Sequence, residues 1–150
     1  MPRTFDKLGL CFQYPDNWTL DEADAVAGRE AVTVYAPGGS FWSVAVHPCA
    51  AEPLQLAETV VQAMRDEYAA VEVEPTQETL GGRELVGFNM NFYYLDLTSS
   101  AEVRSLRLGD HTYTLFWQGE DREFDRLAPV FRAMAVSLLQ GLAAAAGDAS

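Results

Sequence analysis

The chain has 150 residues, 49% of them hydrophobic, with 8 Phe, 6 Tyr and 3 Trp, which is enough to bury the core of one domain and excludes global disorder. The net charge of −12 repels phosphates, so nucleic acid and anionic membrane surfaces are disfavoured as partners, although the same charge also serves solubility alone. No apolar secretion segment follows Met1 to Lys7 and no apolar run reaches about 18 residues, so the expectation is a soluble, cytoplasmic protein.

Leu8 to Tyr14 alternates, with Leu8, Leu10, Phe12 and Tyr14 on one face, and predicts the first strand. Pro15-Asp16-Asn17 is a turn by composition. Leu20 to Glu30 carries Asp21, Glu22, Asp24 and Gly28 and predicts an acidic loop with at most one helical turn. Ala31 to Ala36 predicts a second strand, Pro37-Gly38-Gly39-Ser40 a turn, and Phe41 to His47 a third strand with Trp42, Val44 and Val46 on one face. Pro53 suits the first position of a helix, where its missing N–H removes no bond. Leu54, Ala57, Val60, Val61, Met64 and Tyr68 then recur at helical spacing, which predicts a helix to about Ala69.

Val71 to Leu80 predicts a strand that Pro75 weakens or places at an edge, and Gly81-Gly82 a two-residue hairpin turn. Leu85 to Asp96, Glu102 to Leu108 and His111 to Gln118 complete a meander, with a wider turn at Leu97 to Ser100 and a tight one at Gly109-Asp110. Phe124, Leu127, Ala128, Phe131, Met134, Ala135, Leu138 and Leu139 lie on one stripe of a closing helix. Pro129 predicts a kink in it, or a main helix starting near Ala128. The order is therefore β-β-β-α-β-β-β-β-α. The short connections imply an α+β domain with an antiparallel sheet of six to seven strands and helices on both faces. One domain covers residues 1–140, and residues 141–150 predict a flexible tail that frays from Leu142.

Three stretches carry a family resemblance. Leu10-Cys11-Phe12-Gln13-Tyr14-Pro15-Asp16-Asn17-Trp18 resembles the "f-x-YP-x-x-W" opening of the Mog1/PsbP-like superfamily. Thr79-Leu80-Gly81-Gly82-Arg83-Glu84 resembles its "l-x-G" hairpin, and Phe124, Phe131, Ser137 and Leu138 resemble its terminal helix. Together they cover most of residues 5–139 in element order. The resemblance implies an antiparallel sheet between helices, an α/β/α sandwich, used as a scaffold for binding other macromolecules. PsbP proteins assist photosystem II, Mog1 proteins bind the GTPase Ran, and related bacterial chaperones hold secreted effectors. No binding motif of theirs is matched here residue by residue.

The chain carries no recognisable chemistry. His47 and Cys49 flank Pro48, and His111 follows Asp110, but there is no C-x-x-C, no H-x-x-x-H and no His–carboxylate pair on a helix, so no metal and no other cofactor is expected. Cys11 and Cys49 read as reduced thiols, and a disulfide requires their strands to meet. There is no G-x-S-x-G elbow, and Gly38-Gly39 and Gly81-Gly82 lack a phosphate-loop lysine, so no catalytic residue is named. Glu120-Asp121 suits a helix start, where the macrodipole favours acid.

The meander holds the one unusual pattern. Alternation puts Leu85, Gly87, Asn89, Asn91, Tyr93 and Leu95 on one face, and two asparagines inside a strand require partners. The Gly109-Asp110 turn pairs Leu108 with His111, Leu106 with Tyr113 and Arg104 with Leu115. If the wider turn pairs Asp96 with Ala101, Tyr93 lies opposite Arg104. Asn89, Asn91, Tyr93, Arg104, Tyr113 and Trp117 then share one face, which is either a partner-binding groove or a surface closed by a helix with the asparagines satisfied. A one-residue slip in the wider turn undoes the grouping. The expected function is a non-catalytic binding or adaptor module for a protein or peptide, as a monomer or homodimer. The alternatives are a chaperone for an apolar segment of a secreted effector, and a small-molecule-binding protein or hydrolase with a cleft by the sheet.

Overall fold

A seven-stranded antiparallel sheet runs through the molecule in the order β3-β4-β5-β9-β8-β7-β6, and a separate hairpin, β1-β2, lies beside one of its faces. The computed structural model describes residues 1–23, 30–48 and 51–145. The strands are β1 (Arg3–Lys7), β2 (Leu10–Tyr14), β3 (Thr19–Asp21), β4 (Ala31–Tyr35), β5 (Phe41–Pro48), β6 (Glu72–Leu80), β7 (Arg83–Tyr94), β8 (Leu97–Leu108) and β9 (His111–Glu120). The two long helices are α1 (Pro53–Glu67) and α2 (Asp121–Ala145).

Each face of the sheet buries its own apolar set. On one side Ala57, Val61 and Met64 of α1 meet Met90, Phe92, Ala101 and Val103. On the other, the α2 stripe of Phe124, Leu127, Phe131, Met134, Ala135, Leu138 and Leu139 meets Trp42, Val44, Leu85, Leu115 and Trp117. The β1-β2 hairpin completes this second layer with Phe5, Leu10, Phe12 and Tyr14. The hairpin can lie close because α2 presents a small residue every four positions, Ala133, Ser137 and Gly141. The Ser137 hydroxyl accepts a hydrogen bond from the Gln13 N–H at 2.9 Å. A Cβ on Gly141 would stand 2.4 Å from the Cys11 carbonyl oxygen, so only glycine fits there.

Several expectations are corrected. The chain opens with β1, ahead of the first expected strand, and Leu8 sits in a turn. In β1 only Phe5 is buried, so no apolar alternation marks it. Thr19–Asp21 pairs with β4 at the start of the expected acidic loop, whose residues 24–29 lie outside the described ones. Helix α2 is continuous through Pro129, so a separate main helix starting near Ala128 is absent. Pro129 and Asp125, whose carbonyl loses its partner, are both exposed, while Leu127 and Phe131 on either side are buried. That burial outweighs a penalty of about 3 kcal/mol for an interior proline. The fraying expected from Leu142 is also absent there: helix continues to Ala145 and Leu142 is buried. Residues 146–150 lie outside the described ones. By length and composition alone α2 would cross a membrane, but its apolar stripe is built into the core.

The largest correction concerns the meander. The chain reverses at Leu95-Asp96, not across Leu97 to Ser100, and both turn residues take left-handed φ values of 51° and 64°. Tyr94 pairs with Leu97, Tyr93 with Thr98, and Gly87 with Arg104. The expected Tyr93–Arg104 pairing is therefore displaced along the strand. The displacement is an even number of residues, so every side chain keeps its face. The pairs Leu108–His111, Leu106–Tyr113 and Arg104–Leu115 are as expected, and β6 with Pro75 is an edge strand.

Candidate functional site

The α2 face of the sheet divides into a covered half and an open half. The covered half is centred on Arg104, whose side chain is 2% exposed. A charge so deeply buried requires partners for every donor. Nε donates to Glu78 Oε1 at 2.7 Å, Nη2 to Asn89 Oδ1 at 2.7 Å and to Glu102 Oε2 at 3.2 Å, and Nη1 to the Val103 and Phe88 carbonyls at 3.0 and 3.3 Å. From α2, Arg132 donates to Glu78 Oε2 at 2.6 Å and to Glu102 Oε1 at 3.0 Å. The Trp117 indole N–H donates to Glu102 Oε1 at 2.8 Å. The Arg104 and Arg132 guanidinium carbons stand 6.0 and 5.8 Å from the Trp117 ring centroid, a cation–π distance. Two arginines balance two glutamates, so the cluster is neutral.

Strand geometry makes room for it. Gly87 is the cross-strand neighbour of Arg104, and a Cβ there would stand 1.8 Å from the Val103 carbonyl oxygen. Burial pushes the Glu78 carboxyl up, but the hydrogen bonds and charges of Arg132 and Arg104 outweigh it and hold the group below its ordinary value. Burial lowers Arg132, and its bonds to Glu78 and the charge of Glu102 more than restore it, leaving it raised.

The six residues singled out from the sequence all lie on this face, but the structure joins only three of them. Asn89, Arg104 and Trp117 meet in the network under α2. Trp117 is fully buried and stacks on Phe131 at 6.2 Å. Tyr113 is buried near the far end of the face, where burial and the charge of Glu30 raise its pKa. Asn91 and Tyr93 stand on the open half, with Tyr93 67% exposed. Ser100 bridges this half to the start of α2: its hydroxyl donates to Asp121 Oδ1 at 2.7 Å and lies 3.4 Å from Asn91 Oδ1. Glu78, Glu102 and Arg132 were not singled out from the sequence. The available signal was a charged residue on the inward phase of a strand or helix: Glu102 alternates with Ala101 and Val103, and Arg132 adjoins Phe131.

Grooves formed by the described residues include three on the remaining surface. One of about 750 Å³ runs beside β2 and α2, with Cys11, Gln13, Arg132 and Gln140 in its lining. A second, of about 490 Å³, is more apolar and is lined by Pro2, Tyr14, Pro15, Pro129, Val130 and Met134. A third, of about 580 Å³, opens at the end of the sheet between the Gly38–Ser40 turn and Tyr94, Leu95 and Leu97. Among the described residues no group of three or more His, Cys, Asp or Glu is placed to hold a metal. Burial lowers the pKa of His47. Cys11 is a free thiol, and Cys49, the other half of the conceivable disulfide, lies outside the described residues.

An antiparallel sheet between helices, with this element order, is a Mog1/PsbP-like fold. The chain is similar in structure to a protein of Bacteroides thetaiotaomicron VPI-5482, with a TM-score of 0.62 and 12% identity over 90% of this chain and 47% of that one. It therefore spans about half the length of that protein. It is also similar to cyanobacterial PsbP (CyanoP) from Synechocystis sp. PCC 6803, with a TM-score of 0.56 and 13% identity over 91% of this chain and 90% of that one. The Ran-binding protein Mog1p of Saccharomyces cerevisiae gives a TM-score of 0.53 and 10% identity over 96% of this chain and 93% of that one. At these identities the likeness establishes the fold. No family model matches the chain, and no curated protein matches it by sequence.

Proposed function

We propose that this chain is a soluble, non-catalytic binding module whose partner is a protein or peptide. The observation that carries the reading is the division of the α2 face. Its inner half is a closed and neutral network, with every Arg104 nitrogen committed internally. Its outer half is open and presents Asn91 and Tyr93 from a long strand. A rigid half that anchors a strand carrying an exposed aromatic and an amide further along it supports a preorganised binding surface. The fold neighbours support the same reading by analogy, since one of them is a Ran-binding protein. We place the protein in the cytoplasm, as a monomer or homodimer, with no cofactor, nucleic acid or membrane as partner.

The test is affinity purification of the full chain after crosslinking in its own cells, beside an Asn91→Ala/Tyr93→Ala variant. The expected result is one protein recovered repeatedly by the wild type and lost from the variant. Repeated recovery of nothing, or equal recovery by both, overturns the reading. A second reading, binding of a small apolar ligand, is favoured by the groove of about 490 Å³ along α2. It predicts that a Val130→Trp substitution, which fills the groove, abolishes retention of any copurifying small molecule detected by mass spectrometry.

A further inference from the structure

Local physics and exposure conflict at the tip of the β7-β8 hairpin. Four of the eight large apolar residues that stand exposed among the described residues fall within positions 93–97: Tyr93 at 67%, Tyr94 at 51%, Leu95 at 77% and Leu97 at 52%. Such concentration differs from the scattered exposed leucines of an ordinary surface. The turn itself is unfavourable. Leu95 and Asp96 both hold left-handed φ values, 51° and 64°, in a two-residue reversal where Asn-Gly is the easy choice. Four other hairpin turns place a glycine at positive φ, at Gly9, where Leu8 at 59° precedes it, at Gly39, at Gly81 with Gly82, and at Gly109. The β7-β8 turn has no glycine, and it sets a leucine in a strained position where that leucine buries almost nothing. Neither turn geometry nor the core accounts for this side chain, and backbone strain of this kind collects at functional positions.

A hollow adjoins the tip. Tyr94, Leu95 and Leu97 form one wall of the groove of about 580 Å³, and the Gly38–Ser40 turn faces them. Charge then selects the occupant. Asp96 is in the turn itself, and Glu120, Glu123 and Arg122 line the groove. Asp121 is held by Ser100, and Glu72 pairs across from Asn91 on β6. Arg122 is the one cation in that set, and Arg126 lies against Glu123 at 3.5 Å. The apolar tip is therefore rimmed by excess negative charge on a chain of net charge −12. A second copy would bring the same sign to the rim, whereas a cationic partner would not.

Resting on the protein-binding reading above, we infer that this hairpin is a docking finger. Tyr94, Leu95 and Leu97 engage the apolar side of a partner segment, and the acidic rim pairs with lysines or arginines that flank that side. The occupant is a basic amphipathic segment of a protein, recognised by apolar contact and by charge together.

The test uses the full chain and a synthetic amphipathic peptide of leucine and lysine, followed by amide chemical shifts. The expected shifts centre on residues 93–98 and on the Gly38–Ser40 turn, and they weaken as salt is raised. The double substitution Leu95→Asn/Asp96→Gly removes the apolar tip and suits the turn. It is expected to raise Tm while weakening the peptide by about tenfold or more. Because this variant should gain stability, misfolding does not confound the result. Shifts centred elsewhere, equal binding of a leucine–glutamate peptide, or an unchanged affinity in the double variant would each overturn the inference. So would phosphatidylcholine-vesicle binding or self-association that the double variant abolishes, since the finger would then serve a lipid surface or a second copy. A natural partner that maps to Asn91 and Tyr93 on the opposite face of the hairpin, and not to Leu95 and Leu97, sinks the finger but leaves the broader reading standing. Repeated failure to recover any protein partner sinks that broader reading.

Discussion

The two ends of β7 share a backbone and an alternation but not a solvent. At one end Leu85 is 0% exposed beneath α2, and at the other Tyr93 is 67% exposed, although both point to the same side of the sheet. Between them, Asn89 is locked onto Arg104, while the Ser100 hydroxyl, committed to Asp121, stands 3.4 Å from Asn91. The period of two decides which face a residue occupies, and the path of α2 decides whether that face is core or surface. Inward polar residues are therefore ambiguous in a sequence, because the same pattern serves a buried network and an open platform.

The sharpest way to break the comparison is to open the covered end. Arg104→Ala leaves Glu78 and Glu102 with Arg132 alone, and loss of one partner from a buried ion cluster costs about 3–5 kcal/mol. Urea unfolding of the full chain should show that loss, and a change below about 1 kcal/mol would mean that the cluster is wet and weak. Gly87→Ala comes next. Its Cβ would stand 1.8 Å from a backbone oxygen, which no rotamer relieves, so β7 must shift away from β8 at a cost of about 1–3 kcal/mol. The same unfolding assay measures it, and a neutral result would show that β7 moves freely there.

Acid should separate the two halves. The Glu78 carboxyl is depressed in the folded state, so its contribution is present above the ordinary value of 4.5 and disappears as pH falls through the lowered folded value. Glu78→Gln should be less stable than wild type at neutral pH, and the difference should narrow as pH drops below that range. A difference that stays constant with pH would remove the ionic account of the network. The smallest effect belongs to the open end. Tyr93→Ser should change stability by no more than about 0.5 kcal/mol, as an exposed site does, and a larger loss would place Tyr93 in a packed contact.

Much of the architecture was legible because it follows from short periods and turn chemistry. Gly109-Asp110 fixed the β8-β9 register, and Pro53 marked the start of α1. The β7-β8 register was not legible, because Leu95-Asp96 carries no turn signal while Thr98-Ser99-Ser100 imitates one. Strand β1 was missed because a strand with one buried residue has no period. At the site, alternation placed Asn89, Arg104 and Trp117 on one face. Glu78 and Arg132 were hidden because they come from β6 and α2 and meet across 54 positions of chain, whereas Glu102 stood two residues from Arg104 on the same phase of β8.

What the sequence determined alone was local: which residues form strands, which side each one faces, and that the closing helix presents an apolar stripe. These properties arise from steric and solvent preferences that act within a few residues. Tertiary structure alone decided that α2 stays whole through Pro129, that it carries Arg132 onto Glu78, and that it stops short of Tyr93. Those outcomes depend on where one element comes to rest on another. That placement is set by the summed packing of both cores, and no window along the chain contains it.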